Sequence, residues 1–181
     1  MADGYAAWAS RWRVTLGFIL AVAYLVLAQP SRPLLLCGGS IACLGLLLRA
    51  WSAGYLAKNQ RLVTGGPYSY TRNPLYLGSA LMGLGCVVAG RSWIMGLAFA
   101  VFFPLVYGPV MKREAQFLRG TFPQAYDAYA RQVPLFFPKW VRNLAKNERF
   151  QWRLYRKNRE YEAAMGYVAG MLLLALKMWL R

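Results

Sequence analysis

Five apolar runs follow one another along this chain: Val14–Ala28, Leu34–Leu48, Leu75–Ala89, Trp93–Met111 and Ala163–Leu180. Charge is nearly absent inside them, and Lys177 lies close enough to its end to snorkel. A chain of 181 residues that is 58% hydrophobic cannot hide this surface in one small soluble core. Some runs fall short of the roughly 20 residues that cross a bilayer, so flanking interfacial residues must complete those helices. The pattern predicts an all-α integral membrane protein with about five transmembrane helices. The second is expected to continue past Arg49 to about Ala57, and Gly90-Arg91-Ser92 to fold the third and fourth into a tight antiparallel hairpin. No small-residue cleavage site follows the first run, only Gln29-Pro30-Ser31-Arg32-Pro33, so it reads as a helix and not as a leader.

The net charge of +16 raises the question of nucleic acid, but its distribution answers for a membrane. With five spans, one side receives Arg11, Arg13, Arg49, Lys58, Arg61, Arg72 and the twelve basic residues from Lys112 to Arg159. The other receives Arg32, Arg91 and Arg181. The excess of Lys and Arg on cytoplasmic loops then predicts a cytoplasmic N-terminus and cytoplasmic long loops, with Arg181 outside. Lys139–Arg159 interleaves Trp140, Phe150, Trp152 and Tyr155 with its charges, the pattern of an interfacial amphipathic helix on anionic lipid. Nothing resembles a base-reading module, so the expected partners are the bilayer and a lipid, not nucleic acid.

Missing residues narrow the chemistry. There is no histidine, and Cys37, Cys43 and Cys86 all lie in apolar runs without CxxC spacing. A His/Cys metal site and a Ser–His or Cys–His nucleophile are therefore not expected. The only acids are Asp3, Glu114, Asp127, Glu148, Glu160 and Glu162. Glu160 and Glu162 open the last helix, where the dipole favours acids, and read as structural. Glu114 stands just past the fourth run. The proposed hairpin returns that point to the face that carries Arg72, in Gly65-Gly66-Pro67-Tyr68-Ser69-Tyr70-Thr71-Arg72-Asn73-Pro74-Leu75-Tyr76. An Arg and an amide among turn-forming residues at a membrane mouth suggest a site; the competing reading is a headgroup anchor whose Pro starts a helix. Tyr126 and Tyr129 share a helix face downstream, where each taken alone suits interfacial packing.

Together these blocks resemble the isoprenylcysteine carboxyl methyltransferase and phospholipid methyltransferase superfamily. The family signature is an Arg-His-Pro-x-Tyr block, a two-helix hairpin, and a Glu-Glu-x-x-Leu…Phe-Gly-x-x-Tyr-x-x-Tyr block. Here it is matched by Arg72-Asn73-Pro74-Leu75-Tyr76 and by Glu114…Leu118…Phe122…Tyr126…Tyr129. Asn73 stands where the family usually has His, Ala115 replaces the second Glu, and Pro123 replaces the Gly. Members that methylate prenylcysteine carry an Arg one turn before the Glu; here that position is Val110. The resemblance divides a single membrane domain, 1–181, into a two-helix hairpin (1–57), a methyltransferase core (58–138), and a basic interfacial helix with the last span (139–181).

The resemblance implies S-adenosyl-L-methionine as methyl donor at the cytoplasmic membrane surface, and a membrane-embedded lipid-like or isoprenoid acceptor methylated on O or N. It implies that Gln60, Arg61, Leu62 and Val63 line the cofactor, that Tyr68, Asn73, Pro74, Leu75 and Tyr76 complete its pocket, and that Glu114 accepts hydrogen bonds from it. Arg72 and Glu114 are the expected catalytic residues, Arg72 orienting an anionic group, with no metal. A carboxylate acceptor needs no general base, whereas an ammonium must first lose a proton, and only Glu114, a Tyr or water is on hand to take it. The competing reading is a membrane scaffold that keeps the fold without the chemistry.

Overall fold

A computed structural model describes residues 2–57, 60–140 and 148–180. The described chain is all helical: α1 (Ala2–Leu27), α2 (Arg32–Ala53), α3 (Pro74–Gly90), α4 (Trp93–Thr121), α5 (Pro123–Gln132), α6 (Trp152–Lys157) and α7 (Tyr161–Trp179), with one 3-10 turn, Gly66–Ser69. Four of these helices (α1, α2, α4 and α7) are long and apolar enough to cross a membrane; α3, at 17 residues, is shorter. The architecture is that of an all-α, multi-pass membrane protein. Phe18, Ile19, Val22 and Val26 of α1 and Leu172, Leu173 and Leu176 of α7 turn outward, as lipid-facing residues do.

Local chemistry sets the boundaries. Proline opens α3 and α5, where its missing N–H matters least. Ser92 starts α4 by accepting from Met95 N. Arg91, at φ 48°, turns the chain sharply between α3 and α4. At the end of α2, Asn158 Nδ2 donates to the carbonyls of Ala53 and Leu56, at 3.0 and 2.9 Å, satisfying acceptors that the helix leaves over. Pro109, inside α4, has no N–H for the Leu105 carbonyl; the Tyr5 hydroxyl donates there instead, at 3.1 Å.

The bundle is organised around α2 and α3, which lie backbone to backbone. A Cβ on Gly38 would sit 2.3 Å from Ala89 N and Gly85 O, and one on Gly45 2.5 Å from Gly78 O. Small residues seven apart on each helix (Gly38 and Gly45, Gly78 and Gly85) make this approach possible, and between membrane helices close van der Waals contact supplies the attraction. α3 thus packs far more extensively on α2 than on α4, its partner in the expected hairpin. α1 lies chiefly against α4 and α2 against α3 and α7, so the first two helices face different neighbours.

One end of the bundle is closed by Ala28, Ala89 and Leu174, with the Tyr24 hydroxyl on Cys86 O at 2.6 Å and Lys177 Nζ on the carbonyls of Leu25 and Val26. The opposite end carries the longer loops and Arg13, Arg49, Arg61 and Arg72. Two expectations change here. α2 stops at Ala53, where Gly54 caps it, and does not run on to Ala57. In the basic segment Lys139–Arg159 only Trp152–Lys157 is α-helical among the described residues, because Gln151 N bonds to Gly54 O and pulls the chain onto the end of α2. Residues 141–147, Lys58 and Arg181 lie outside the described residues.

Candidate active site

The loop from Arg61 to Asn73 is held by its own backbone. Gly66 adopts φ 58° and brings its Cα against the Tyr55 ring, where a Cβ would fall 2.6 Å from the aromatic carbons; only glycine fits both demands. Gly65 N donates to Glu148 Oε2 at 2.9 Å, and Arg61 lies 3.9 Å from the same carboxylate. Further along, Arg72 N donates to Pro134 O and Lys139 N to Tyr70 O, each at 2.9 Å. Thr71 Oγ1 and Asn73 Nδ2 both donate to Leu135 O. Asn73 therefore anchors the loop to the segment after α5, and its side chain does not cap α3.

That stitching aims Arg72 at α5. Its Nη1 donates to the Tyr126 hydroxyl at 2.9 Å, and its guanidinium lies 5.7 Å from the centre of the Tyr126 ring. Tyr129, one turn on, donates to Tyr68 O at 2.6 Å. Burial pushes the Tyr68 phenol well above its ordinary value, with Tyr129 and Glu114 adding to the rise. Burial also raises Tyr129, partly offset by Arg72. Both phenols are neutral donors. Tyr68 Oη and Arg72 Nε are buried without a hydrogen-bond partner among the described residues.

On the membrane side, Arg13 Nη1 of α1 donates to Tyr76 Oη at 3.0 Å, and Tyr76 Oη donates to Glu114 Oε1 at 2.7 Å. Beside this relay, Arg49 forks onto Glu160, with Nε to Oε2 at 3.0 Å and Nη2 to Oε1 at 2.7 Å, while its Nη1 reaches Ser79 Oγ at 2.5 Å. The pair ties the end of α2 to the start of α7 across the first turns of α3.

The side chains of Arg13, Arg49, Tyr76, Tyr126, Tyr129 and Glu160 face one cavity of about 420 Å³. Arg72 and Glu114 line it, as do Arg61, Leu62 and Val63, Tyr68, and Asn73 through Tyr76. Gln60 does not; it sits in the preceding turn, its N–H on Ala57 O. Arg72 and Glu114 share the space without bonding each other: Tyr126 takes the first and Tyr76 the second. Sequence reasoning missed Arg13, Arg49, Tyr107 and Glu160, which also line the cavity. Glu160 starts α7, as expected of an acid, but its carboxylate is buried against Arg49 at the cavity wall. The available signal was a charge at the edge of an apolar run, which is expensive unless it has work to do.

Comparison with known proteins places the chain. The family model for phospholipid methyltransferase matches residues 12–125. The cobalt-zinc-cadmium resistance protein CzcN of Cupriavidus metallidurans is 39% identical over 141 residues, 71% of this chain and 62% of its own length. The nickel-cobalt-cadmium resistance protein NccN of Alcaligenes xylosoxydans xylosoxydans is 34% identical over 137 residues, 71% of this chain and 63% of its own. The chain thus matches somewhat less than two thirds of these curated relatives. No solved structure matches.

Proposed function

The chain belongs to the phospholipid methyltransferase family, and we propose that it transfers a methyl group from S-adenosyl-L-methionine to a lipid-like acceptor in the cavity lined by α1 to α5 and the start of α7. The observation that carries this reading is the convergence of the 61–63 and 72–76 segments with Glu114 on one cavity that contains two buried polar atoms without partners. The donor set fits the cofactor: Arg72 Nε and Tyr68 Oη suit carboxylate or hydroxyl oxygens, Glu114 suits an ammonium, and the 420 Å³ volume lies in the range of small-molecule sites. The cavity end is assigned to the cytoplasm by its basic loops.

S-adenosylmethionine, when bound, supplies a sulfonium methyl that is already electrophilic. The residues of the chain are left with positioning and water exclusion. Arg72, held at its backbone by Pro134 and at its guanidinium by Tyr126, presents a fixed donor to an anionic group. Glu114, oriented by Tyr76, is among the described residues the one cavity carboxylate outside the Arg49 pair, and it holds a cation or accepts a proton. The Tyr107 ring lies tilted against Tyr76, with centroids 5.4 Å apart, and with Leu75 it supplies apolar wall. Orientation of this kind is worth up to about 7–11 kcal/mol of a transfer barrier.

Calorimetric titration of the purified chain with S-adenosylmethionine tests the reading. Micromolar binding that Glu114→Gln weakens at least about tenfold, with thermal stability unchanged, is the expected result. No binding by the wild-type chain would leave the scaffold as the better reading. The relatives' names add a second element, that the methylated product contributes to metal resistance. With no histidine in the chain, that contribution is assigned to the product and not to a metal held here. Growth of a deletion strain in cobalt or cadmium, with and without the Glu114→Gln chain, tests it.

A further inference from the structure

Resting on the methyl-transfer reading above, we propose that Arg13 binds the acceptor's headgroup and that this headgroup is an anion, a carboxylate or a phosphate. Arg13 lies in α1, within the stretch Ala7–Leu27 that is apolar enough to cross a membrane. Val14 beside it lines the cavity and is 74% exposed, and Phe117 on α4 lines it at 56%, so this wall opens onto the lipid-facing surface. Trp8 and Trp12 stand outward next to Arg13, as aromatic residues do at headgroup depth. An amphiphile that enters here meets the guanidinium with its head and the bilayer with its tail.

Among the described residues neither Arg13 nor Arg72 pairs with a carboxylate, and of the two Arg13 is the one beside the lipid-facing wall. Arg49 is forked onto Glu160, Arg61 has Glu148, and Arg72 has the hydroxyl and ring of Tyr126. Among the described residues no carboxylate lies within ion-pair distance of Arg13, which spends one N–H on the neutral Tyr76 hydroxyl. A guanidinium carries five such donors. Tyr76 relays the charge of Glu114, but Glu114 is the group assigned to the cofactor's ammonium, and once so engaged it offsets Arg13 less. Among the described residues, Arg13, Arg49, Arg61 and Arg72 face Glu114 and Glu160, with Glu148 beside Arg61, so the cavity carries one positive charge in excess. An ammonium headgroup meets repulsion there; a carboxylate or phosphate meets a fork that matches its oxygens.

The test uses the full chain in phosphatidylcholine nanodiscs and three probes of equal tail: palmitate, hexadecyl phosphate and hexadecylamine. At least one anion is expected to bind at least about tenfold more tightly than the amine, and Arg13→Gln to erase the preference while it still folds and still binds S-adenosylmethionine. Tighter palmitate identifies a carboxylate acceptor, tighter hexadecyl phosphate a phosphate-bearing one. Equal or tighter binding of hexadecylamine, or a preference that survives in folded Arg13→Gln, overturns the proposal. Should Arg13→Gln fail to fold, Arg13→Lys decides. A drop of about fivefold or more in binding of the preferred anion, with hexadecylamine unchanged, supports the fork, and unchanged anion binding overturns it. S-adenosylmethionine affinity is measured separately, so loss of the methyl-transfer reading and loss of this one give different results.

Discussion

Replacing Glu160 with Gln removes the charge that Arg49 grips while keeping the shape of the side chain. The pair is largely buried, with side-chain exposures of 23% for Arg49 and 8% for Glu160, and it is forked at 3.0 and 2.7 Å. Breaking such a pair from one side costs about 3–5 kcal/mol, because the remaining charge keeps its desolvation penalty. Arg49 retains Ser79 Oγ as a partner, which argues for the low end, about 3 kcal/mol. For a chain of this size each kcal/mol moves the midpoint by about 2–4 °C, so thermal unfolding in mild detergent should fall by about 6–12 °C. Removing both charges in Arg49→Met/Glu160→Leu leaves no orphan and should recover most of that loss. A Glu160→Gln midpoint within about 2 °C of wild type, or a double variant less stable than both single ones, would refute the reasoning.

Gly38→Ala should destabilise by about 1–3 kcal/mol, because its Cβ meets the backbone of Ala89 and Gly85 at 2.3 Å, whereas Gly166→Ala, with nothing within 4 Å, should be neutral or slightly stabilising. Equal melting of the two variants would mean that α2 and α3 are not in backbone contact. Alkaline pH should also destabilise the fold. Tyr68 and Tyr129 are held above their ordinary value of 10.0, so the folded state keeps protons that the unfolded state releases. Their contribution is complete below pH 10 and shrinks above it, by up to about 1.4 kcal/mol per pH unit for each tyrosine, and Tyr129→Phe should make the decline shallower. Denaturant titrations across that range check the slope.

The spans were legible because charge is excluded from a bilayer, and the loop was legible because Gly, Pro and an amide surround a lone Arg. Who faces whom was not. Gly38, Gly45, Gly78 and Gly85 read singly as permissive residues, and only the packed pair shows that they form one interface. The fourth apolar run ends at Met111, yet α4 continues to Thr121, because the polar residues that follow are good helix formers; that extension carries Glu114 to Tyr76. Glu160 already had a sufficient local explanation in the helix dipole, and its partner Arg49 lies 111 residues away. Arg13 and Arg49 had been absorbed into the count of basic residues on one side of the membrane, which hid their place in the cavity.

The most direct measurement follows methyl-labelled S-adenosylmethionine into the lipid extract of membranes that carry the chain or its Arg72→Lys variant. Arg72 touches Tyr126 through one nitrogen, and its Nε has no partner among the described residues, so a fork is available that Lys lacks. Loss of such a buried charged partner is worth about 2–5 kcal/mol. The account predicts lipid-soluble label with the wild-type chain and at least about thirtyfold less with Arg72→Lys at near-normal thermal stability. Undiminished transfer by Arg72→Lys, or no lipid-soluble label from the wild-type chain, would contradict it.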